Sequence, residues 1–113
     1  MIIVQVSVPI KPEARETALD LARRMTEASV AESGCISYDF YIGLRDPNML
    51  MIFQEWESMS LLMNHFNTPH METFLEELPQ VISGEITTRR YAVQNIEDET
   101  SIEEDDASNK VIH

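Results

Sequence analysis

Two histidines, His65 and His70, are the residues of this sequence best suited to acid–base chemistry. An imidazole titrates near neutral pH, so it can accept or donate a proton under physiological conditions. His65 follows Leu61 and Leu62 at helical spacing, which aims its side chain at the sheet. His70 comes directly after Thr68-Pro69, a typical helix start whose free N–H groups favour a neutral imidazole. We expect both histidines to be catalytic, with His65 as base or hydrogen-bond partner and His70 as second polar group. The alternative for each is a structural histidine satisfied by a hydrogen bond.

Five further side chains are candidates for contact with a substrate: Tyr38, Glu55, Trp56, Phe66 and Met71. Tyr38 could offer a phenol hydroxyl. Glu55 stands among apolar strand residues, where a carboxylate must be paired, exposed at the strand end, or raised in pKa. The other three would form an apolar wall, although the simplest interpretation of Trp56 is a core or interface residue. We expect the two histidines to face one cavity, with Tyr38 or Glu55 close by.

Other chemistries find less support in the sequence. Two metal-binding histidines on one helical face are usually spaced i, i+4, whereas these are spaced i, i+5 with a break between them. Glu55 and Glu57 would complete a metal site only if the fold happened to bring them there, so no metal or other cofactor is expected. Cys35 has no activating neighbour in sequence, which argues against a catalytic thiol. No glycine-rich loop suggests a nucleotide phosphate.

The charge balance excludes two classes of partner. The chain has 8 Lys and Arg against 20 Asp and Glu, a formal net charge of −12. Nucleic acids and anionic membrane surfaces are bound through clustered Lys and Arg, so neither partner is expected. About half of the net negative charge lies in residues 95–113, which we interpret as an acidic tail following a domain of residues 1–94.

The N-terminal stretch and the cysteine content bear on compartment. The opening MIIVQVSVPIKP is apolar over too few residues to cross a bilayer and has no basic leader segment. One cysteine permits no internal disulfide, as in proteins of a reducing compartment. We expect a cytoplasmic protein.

The elements that must position the histidines follow the order β-α-β-β-α-β. Alternating apolar residues predict strands over residues 2–9, 35–44, 49–57 and 85–94. A first helix is predicted to begin at Pro12 and to end at Gly34. A second is predicted to begin near Ser58 or Ser60, to restart at Thr68-Pro69 and to stop at Pro79. This order predicts an α+β, ferredoxin-like subunit, complete by Val93 and therefore independent of the tail.

The third strand is apolar on both faces, with Met51 and Phe53 opposite Ile52 and Trp56. Helices in this order cover one face of the sheet, so the other face needs a second cover. We expect a homodimer with sheets packed face to face, and a buried face that includes Ile3-side or Ile52-side residues.

Several motifs occur in the order of a known family. They are Gly34-Cys35, Tyr38-Asp39-Phe40, Glu55-Trp56-Glu57-Ser58, His65 and Thr68-Pro69-His70-Met71. Over residues 1–94 the sequence resembles the antibiotic biosynthesis monooxygenase family, its quinol-monooxygenase-like bacterial members in particular. The resemblance implies a dimeric α+β barrel with a pocket between helices and sheet. It further implies oxidation of phenols, anthrones or quinols by O₂ without metal, flavin or haem. The haem-degrading branch fits poorly, since its asparagine-tryptophan-histidine trio cannot be placed and His65 stands where its tryptophan would align.

We therefore expect a cofactor-independent monooxygenase acting on a small electron-rich aromatic such as a quinol, phenol or anthrone. An isomerase or lyase acting on a small carbonyl signalling metabolite is a second interpretation. A non-enzymatic dimeric module that binds a small hydrophobic ligand is a third.

Overall fold

A computed structural model describes residues 1–96 of the chain, so nearly all of the predicted tail of residues 95–113 lies outside the described residues. The strands are β1 (Ile2–Pro9), β2 (Cys35–Ile42), β3 (Met49–Trp56) and β4 (Thr87–Ala92), and the helices are α1 (Arg15–Val30), α2 (Met59–Phe66) and α3 (Pro69–Glu77). Short 3-10 turns at Pro12–Ala14 and Leu78–Gln80 precede α1 and follow α3. The predicted α+β, ferredoxin-like order is confirmed.

The four strands form one sheet in the order β2-β3-β1-β4, and every neighbouring pair is antiparallel. The two central strands, β1 and β3, pair along their whole length, with Ile3 opposite Glu55 and Ser7 opposite Met51. On its other side Ile3 lies opposite Tyr91 of β4.

The core lies between the sheet and the helices. Alternate residues of the central strands are buried there, namely Val4, Val8, Leu50, Ile52, Gln54 and Trp56. They pack against a stripe of α1 that includes Leu21 and Met25, and against Leu62 and Phe74 of the other two helices. Ile52 therefore faces the helices. Of the two sheet faces considered for the dimer interface, only the Ile3 side remains uncovered by helices of residues 1–96.

The opposite face of the sheet has no helix over it among residues 1–96. Ile3, Met51 and Phe53 are only partly buried there, and Tyr91 is 41% exposed. The two apolar faces of β3 thus have different environments, one under helices and the other open.

Local signals fix the segments around the histidines. The Ser58 hydroxyl accepts a hydrogen bond from the Leu61 N–H at the start of α2, and the Thr68 hydroxyl accepts one from the Met71 N–H at the start of α3. These caps satisfy N–H groups that have no partner within their helix. The Thr68 hydroxyl also donates to the His65 carbonyl, which joins the end of α2 to the start of α3.

The turn between α1 and β2 depends on Gly34. Its φ of +86° lies in the left-handed region that favours glycine. Its carbonyl accepts a hydrogen bond of 2.9 Å from the Glu57 N–H, and a Cβ at this position would lie 2.4 Å from Leu61 Cδ1. The turn is therefore pressed closely against the start of α2.

Within residues 1–96, none of the helices has both the length and the apolar character needed to cross a membrane.

Candidate functional site

His65 lies in a buried cluster of aromatic side chains between α2 and the sheet. Its side chain is 1% exposed, and its ring centroid lies 4.8 Å from that of Trp56 and 5.6 Å from that of Tyr38. Phe66, the next residue of α2, is 5.9 Å away on the same measure. The helical spacing after Leu61 and Leu62 thus aims His65 at the sheet, as the sequence pattern predicted.

Glu32 joins the two histidines. Its Oε2 atom lies 2.6 Å from His65 Nδ1 and 2.5 Å from His70 Nε2. Each imidazole can donate an N–H to this shared oxygen, and short bonds to an ionised acceptor are the strong ones. The two imidazole centroids are 5.8 Å apart. The structure therefore brings together the two predicted catalytic residues through a third that the sequence analysis did not include.

Glu32 occupies the turn between α1 and β2, which is why sequence spacing did not indicate it. The residue is 33 positions from His65 and 38 from His70. The only signal near it is Gly34, which marks a turn but does not say where the neighbouring carboxylate points.

Burial and charge set the protonation of His65. Burial lowers the pKa of its imidazole below the ordinary histidine value, while the hydrogen bond and negative charge of Glu32 oppose that shift. A neutral His65 that donates Nδ1–H to Glu32 carries its lone pair on Nε2. This carboxylate–imidazole arrangement fixes the tautomer of a general base.

Tyr38 and Cys35 lie nearby, and the pKa of each side chain is raised. Burial raises the pKa of the Tyr38 phenol well above its usual value, so it remains a hydroxyl. Burial also raises the pKa of the Cys35 thiol to about 11, helped by the negative charges of Glu32 and Asp39. Such a thiol is a poor nucleophile at neutral pH.

Glu55 does not join the histidines. Residues alternate across a strand, and Glu55 projects from the uncovered face, where it accepts a 2.8 Å hydrogen bond from the Ser37 hydroxyl. Trp56, on the helix side, donates its indole N–H to the Gln54 side-chain oxygen at 2.9 Å. Of the two residues expected close to the histidines, Tyr38 lies beside His65 and Glu55 does not; the carboxylate that joins the histidines is Glu32.

A groove with a cavity volume of about 230 Å³ runs between α1 and α3 and reaches His70. Its lining residues are Leu21, Arg24, Met25, His70, Thr73 and Phe74. The His70 side chain is 25% exposed and forms the link between this groove and the buried Glu32–His65 pair. Of the residues predicted to contact a substrate, the lining includes neither Tyr38 nor Trp56; these two surround His65 instead, as does Phe66.

A second depression, of about 420 Å³, lies between α1 and the β2 edge of the sheet. It is lined by Leu19, Ala22, Arg23, Thr26, Glu27, Asp39, Phe40, Ile42 and Leu50. None of the predicted site residues borders it. Met71 is half-buried and packs against the core beside His70.

The cluster also has the composition of a metal site. One carboxylate oxygen and two imidazole nitrogens, from Glu32, His65 and His70, lie within 4.8 Å of one another. The i, i+5 spacing argued against shared metal ligands on one helical face. The break at Thr68-Pro69 starts a new helix, however, so the two imidazoles converge from different helices.

Comparisons with known proteins bear on the site as a whole. The sequence model of the antibiotic biosynthesis monooxygenase family matches residues 1–77, which include Glu32, His65 and His70. An uncharacterized Synechocystis protein, sll1783, is 30% identical over 92 residues, 81% of this chain and 63% of that protein, so this chain spans less than two thirds of that relative. The Bacillus subtilis protein "Putative monooxygenase YcnE" is 27% identical over 90 residues, 80% of this chain and 95% of that one. The solved structure of Rv0793 from Mycobacterium tuberculosis superposes with a TM-score of 0.78 at 25% identity, covering 88% of this chain and 98% of that chain.

Proposed function

Because the chain belongs to the antibiotic biosynthesis monooxygenase family, we propose that it is a monooxygenase that oxidises a small electron-rich aromatic compound, a quinol, phenol or anthrone, with O₂. The hydrogen-bonded His65–Glu32–His70 cluster is the observation that carries this proposal. A carboxylate that holds one nitrogen of an imidazole leaves the other nitrogen free to act as a base. Here two imidazoles share one carboxylate, and one of them borders a groove.

The reaction begins with removal of an acidic proton from the substrate. The resulting anion transfers one electron to O₂, and the radical pair combines to form a C–O bond and a peroxide. Loss of the hydrogen on that carbon, with cleavage of the O–O bond, leaves a carbonyl and releases water. One oxygen atom enters the product and the other leaves as water. The substrate supplies all four electrons, so the reaction needs no external reductant and no flavin, haem or metal.

We assign the roles within the cluster from the exposure of each group. His70 is the group that can touch a substrate in the groove, so we assign proton abstraction to its Nδ1. Glu32 then stabilises the imidazolium that forms, as an ionised acceptor does. His65 holds Glu32 in place from the buried side. This assignment moves the base from His65, which the sequence favoured, to the more accessible histidine.

The groove suits a small substrate. Its volume of about 230 Å³ is below the roughly 300–1,000 Å³ of sites for drug-sized ligands. Its walls at Leu21, Met25 and Phe74 are apolar and can pack against an aromatic ring. A substrate with one aromatic ring is therefore favoured over a fused polycyclic one.

Oxygen uptake with a panel of quinols, phenols and anthrones, in chelator-treated buffer, tests the proposal. We expect uptake with at least one single-ring substrate, and one atom of label in the product under ¹⁸O₂. His70→Ala and Glu32→Gln should each lower turnover by about 100-fold or more, the usual scale for a general base.

His113→Ala, which removes the remaining histidine of the chain, is the matched control and should retain turnover. Proton exchange or isomerisation of a carbonyl compound without oxygen uptake would contradict the monooxygenase. Equal turnover in wild type and His70→Ala would remove His70 from the reaction.

A further inference from the structure

We propose that Glu32, His65 and His70 form a binding site for one divalent transition-metal ion, such as Zn²⁺ or Co²⁺. The proposal goes beyond the function given above, because binding of the ion does not depend on any oxidation reaction.

The donor atoms have the right chemistry and lie close together. Imidazole nitrogen and carboxylate oxygen are the ligands that Zn²⁺ and its neighbours accept in proteins. The three donor atoms, Nδ1 of His65, Nε2 of His70 and Oε2 of Glu32, lie within 4.8 Å of one another. Both imidazoles meet the same carboxylate oxygen, although a carboxylate offers two. The three residues can therefore offer one ligand atom each to a single ion.

Binding requires the donor atoms to rearrange. Ligand bonds of about 2.0–2.2 Å place neighbouring ligand atoms roughly 3.3–3.6 Å apart in a tetrahedral site. The two oxygen–nitrogen separations are now 2.5 and 2.6 Å and must open by roughly 1 Å, while the two nitrogens, which lie within 4.8 Å of each other, must reach the same spacing. His65 is buried, whereas Glu32 lies in a turn and His70 is partly exposed, so we assign this rearrangement to the side chains of Glu32 and His70.

The surroundings provide access and leave coordination positions open. His70 lines the groove between α1 and α3, which gives an ion a route from solvent. Three protein ligands leave at least one position for water or another exchangeable ligand, unlike the four closed ligands of a structural zinc site. The Glu32 carboxylate also brings a negative charge to a 2+ ion, and imidazole ligands coordinate in their uncharged form.

A bound ion would occupy the nitrogens that hold Glu32 in the proposed reaction. Under the proposed function, the ion-bound and proton-transferring states of the cluster therefore exclude each other. This consequence rests on the proposed function, whereas the binding itself does not.

The test is direct binding to the full-length protein after removal of metals with a chelator. Zn²⁺ is added in a calorimeter, and Co²⁺ binding is followed by visible absorption, which reports nitrogen ligands. We expect one ion per chain. His70→Ala and Glu32→Gln should weaken binding by at least about tenfold.

Two control variants separate this site from other ligands of the chain. His113→Ala and Glu27→Gln, which changes an exposed carboxylate of α1, should bind as wild type does. Circular dichroism establishes that each variant is folded. Because His70 is partly exposed, we expect His70→Ala to disturb the fold less than Glu32→Gln does. No saturable binding by wild type, or equal binding by wild type and His70→Ala, overturns the proposal. Since neither readout uses oxygen, failure here is distinct from failure of the monooxygenase.

Discussion

Cys35 is a thiol whose surroundings oppose ionisation. Burial and two nearby carboxylates raise its pKa to about 11, and the thiolate is the form that reacts with alkylating reagents. We expect iodoacetamide to react slowly with the folded protein at pH 8, and the rate to increase about tenfold for each pH unit up to at least pH 9.5. The unfolded protein in urea, where the cysteine has its ordinary pKa, is the control. A plateau of the folded-state rate near pH 8.5 would contradict this environment.

Sequence spacing determines the direction of a side chain only where the local element is regular. The direction of the His65 side chain was predicted correctly, because helical spacing places it on the same face as Leu61 and Leu62. Glu55 could not be placed, because strand alternation separates it from Trp56 without saying which face the helices cover. Glu32 could not be found at all. It lies beside the left-handed turn at Gly34, and its contact with His65 joins residues 33 positions apart in the sequence.

Among the elements, the turn that contains Gly34 matters for both stability and the site, because it packs against the start of α2 and also holds Glu32. Gly34→Ala places a Cβ 2.4 Å from Leu61 Cδ1 and holds alanine at a φ of +86°. We expect a loss of about 1–3 kcal/mol in the free energy of unfolding, the usual range for a strained backbone position. Urea denaturation measures it.

Gly84→Ala is the matched control for that experiment. The nearest atom to a Cβ there is Pro9 Cγ at 3.6 Å, an ordinary contact distance. We expect unchanged or slightly higher stability, since alanine reduces the entropy of the unfolded chain. Equal losses in both variants would show that Gly34 has no special role.

The order of elements was predictable because each has a local cause, such as alternating apolar residues in β1 and a capping residue before α2 and α3. Ends were less predictable. β2 stops at Ile42 because the Gly43 N–H bonds the Met49 carbonyl and closes a hairpin loop. β4 is likewise shorter than the predicted 85–94, spanning Thr87–Ala92.

At the scale of the whole molecule, the uncovered sheet face remains the basis for expecting a homodimer. Phe53 lies near its centre, between neighbours on β1 and β2. We expect Phe53→Glu to convert the dimer to a monomer in light scattering at micromolar concentration, because a buried carboxylate without a partner is costly. Leu44→Glu, at a loop position that is 99% exposed, should leave the mass unchanged. A wild-type monomer would contradict the dimer.

Removal of residues 95–113 is expected to leave the fold and the groove intact. The last described strand ends at Ala92, and the Val93 N–H bonds the Met1 carbonyl at 2.9 Å, so the sheet closes before the cut. Circular dichroism and light scattering on the shortened chain should match the full-length protein. A large loss of helical signal would show instead that the acidic residues are part of the fold.

All six residues of β4 are exposed, although the strand is paired along one side with β1. Its backbone hydrogen bonds therefore have little side-chain packing to protect them, and such regions open locally at a small cost in free energy. The amide protons of β4 should then exchange with deuterium well before those of β3, which is enclosed between two strands. If a second chain covers the open face, it also protects the amides of β4, so their exchange slows as the protein concentration rises. Deuterium exchange in this edge strand would then measure dimer formation.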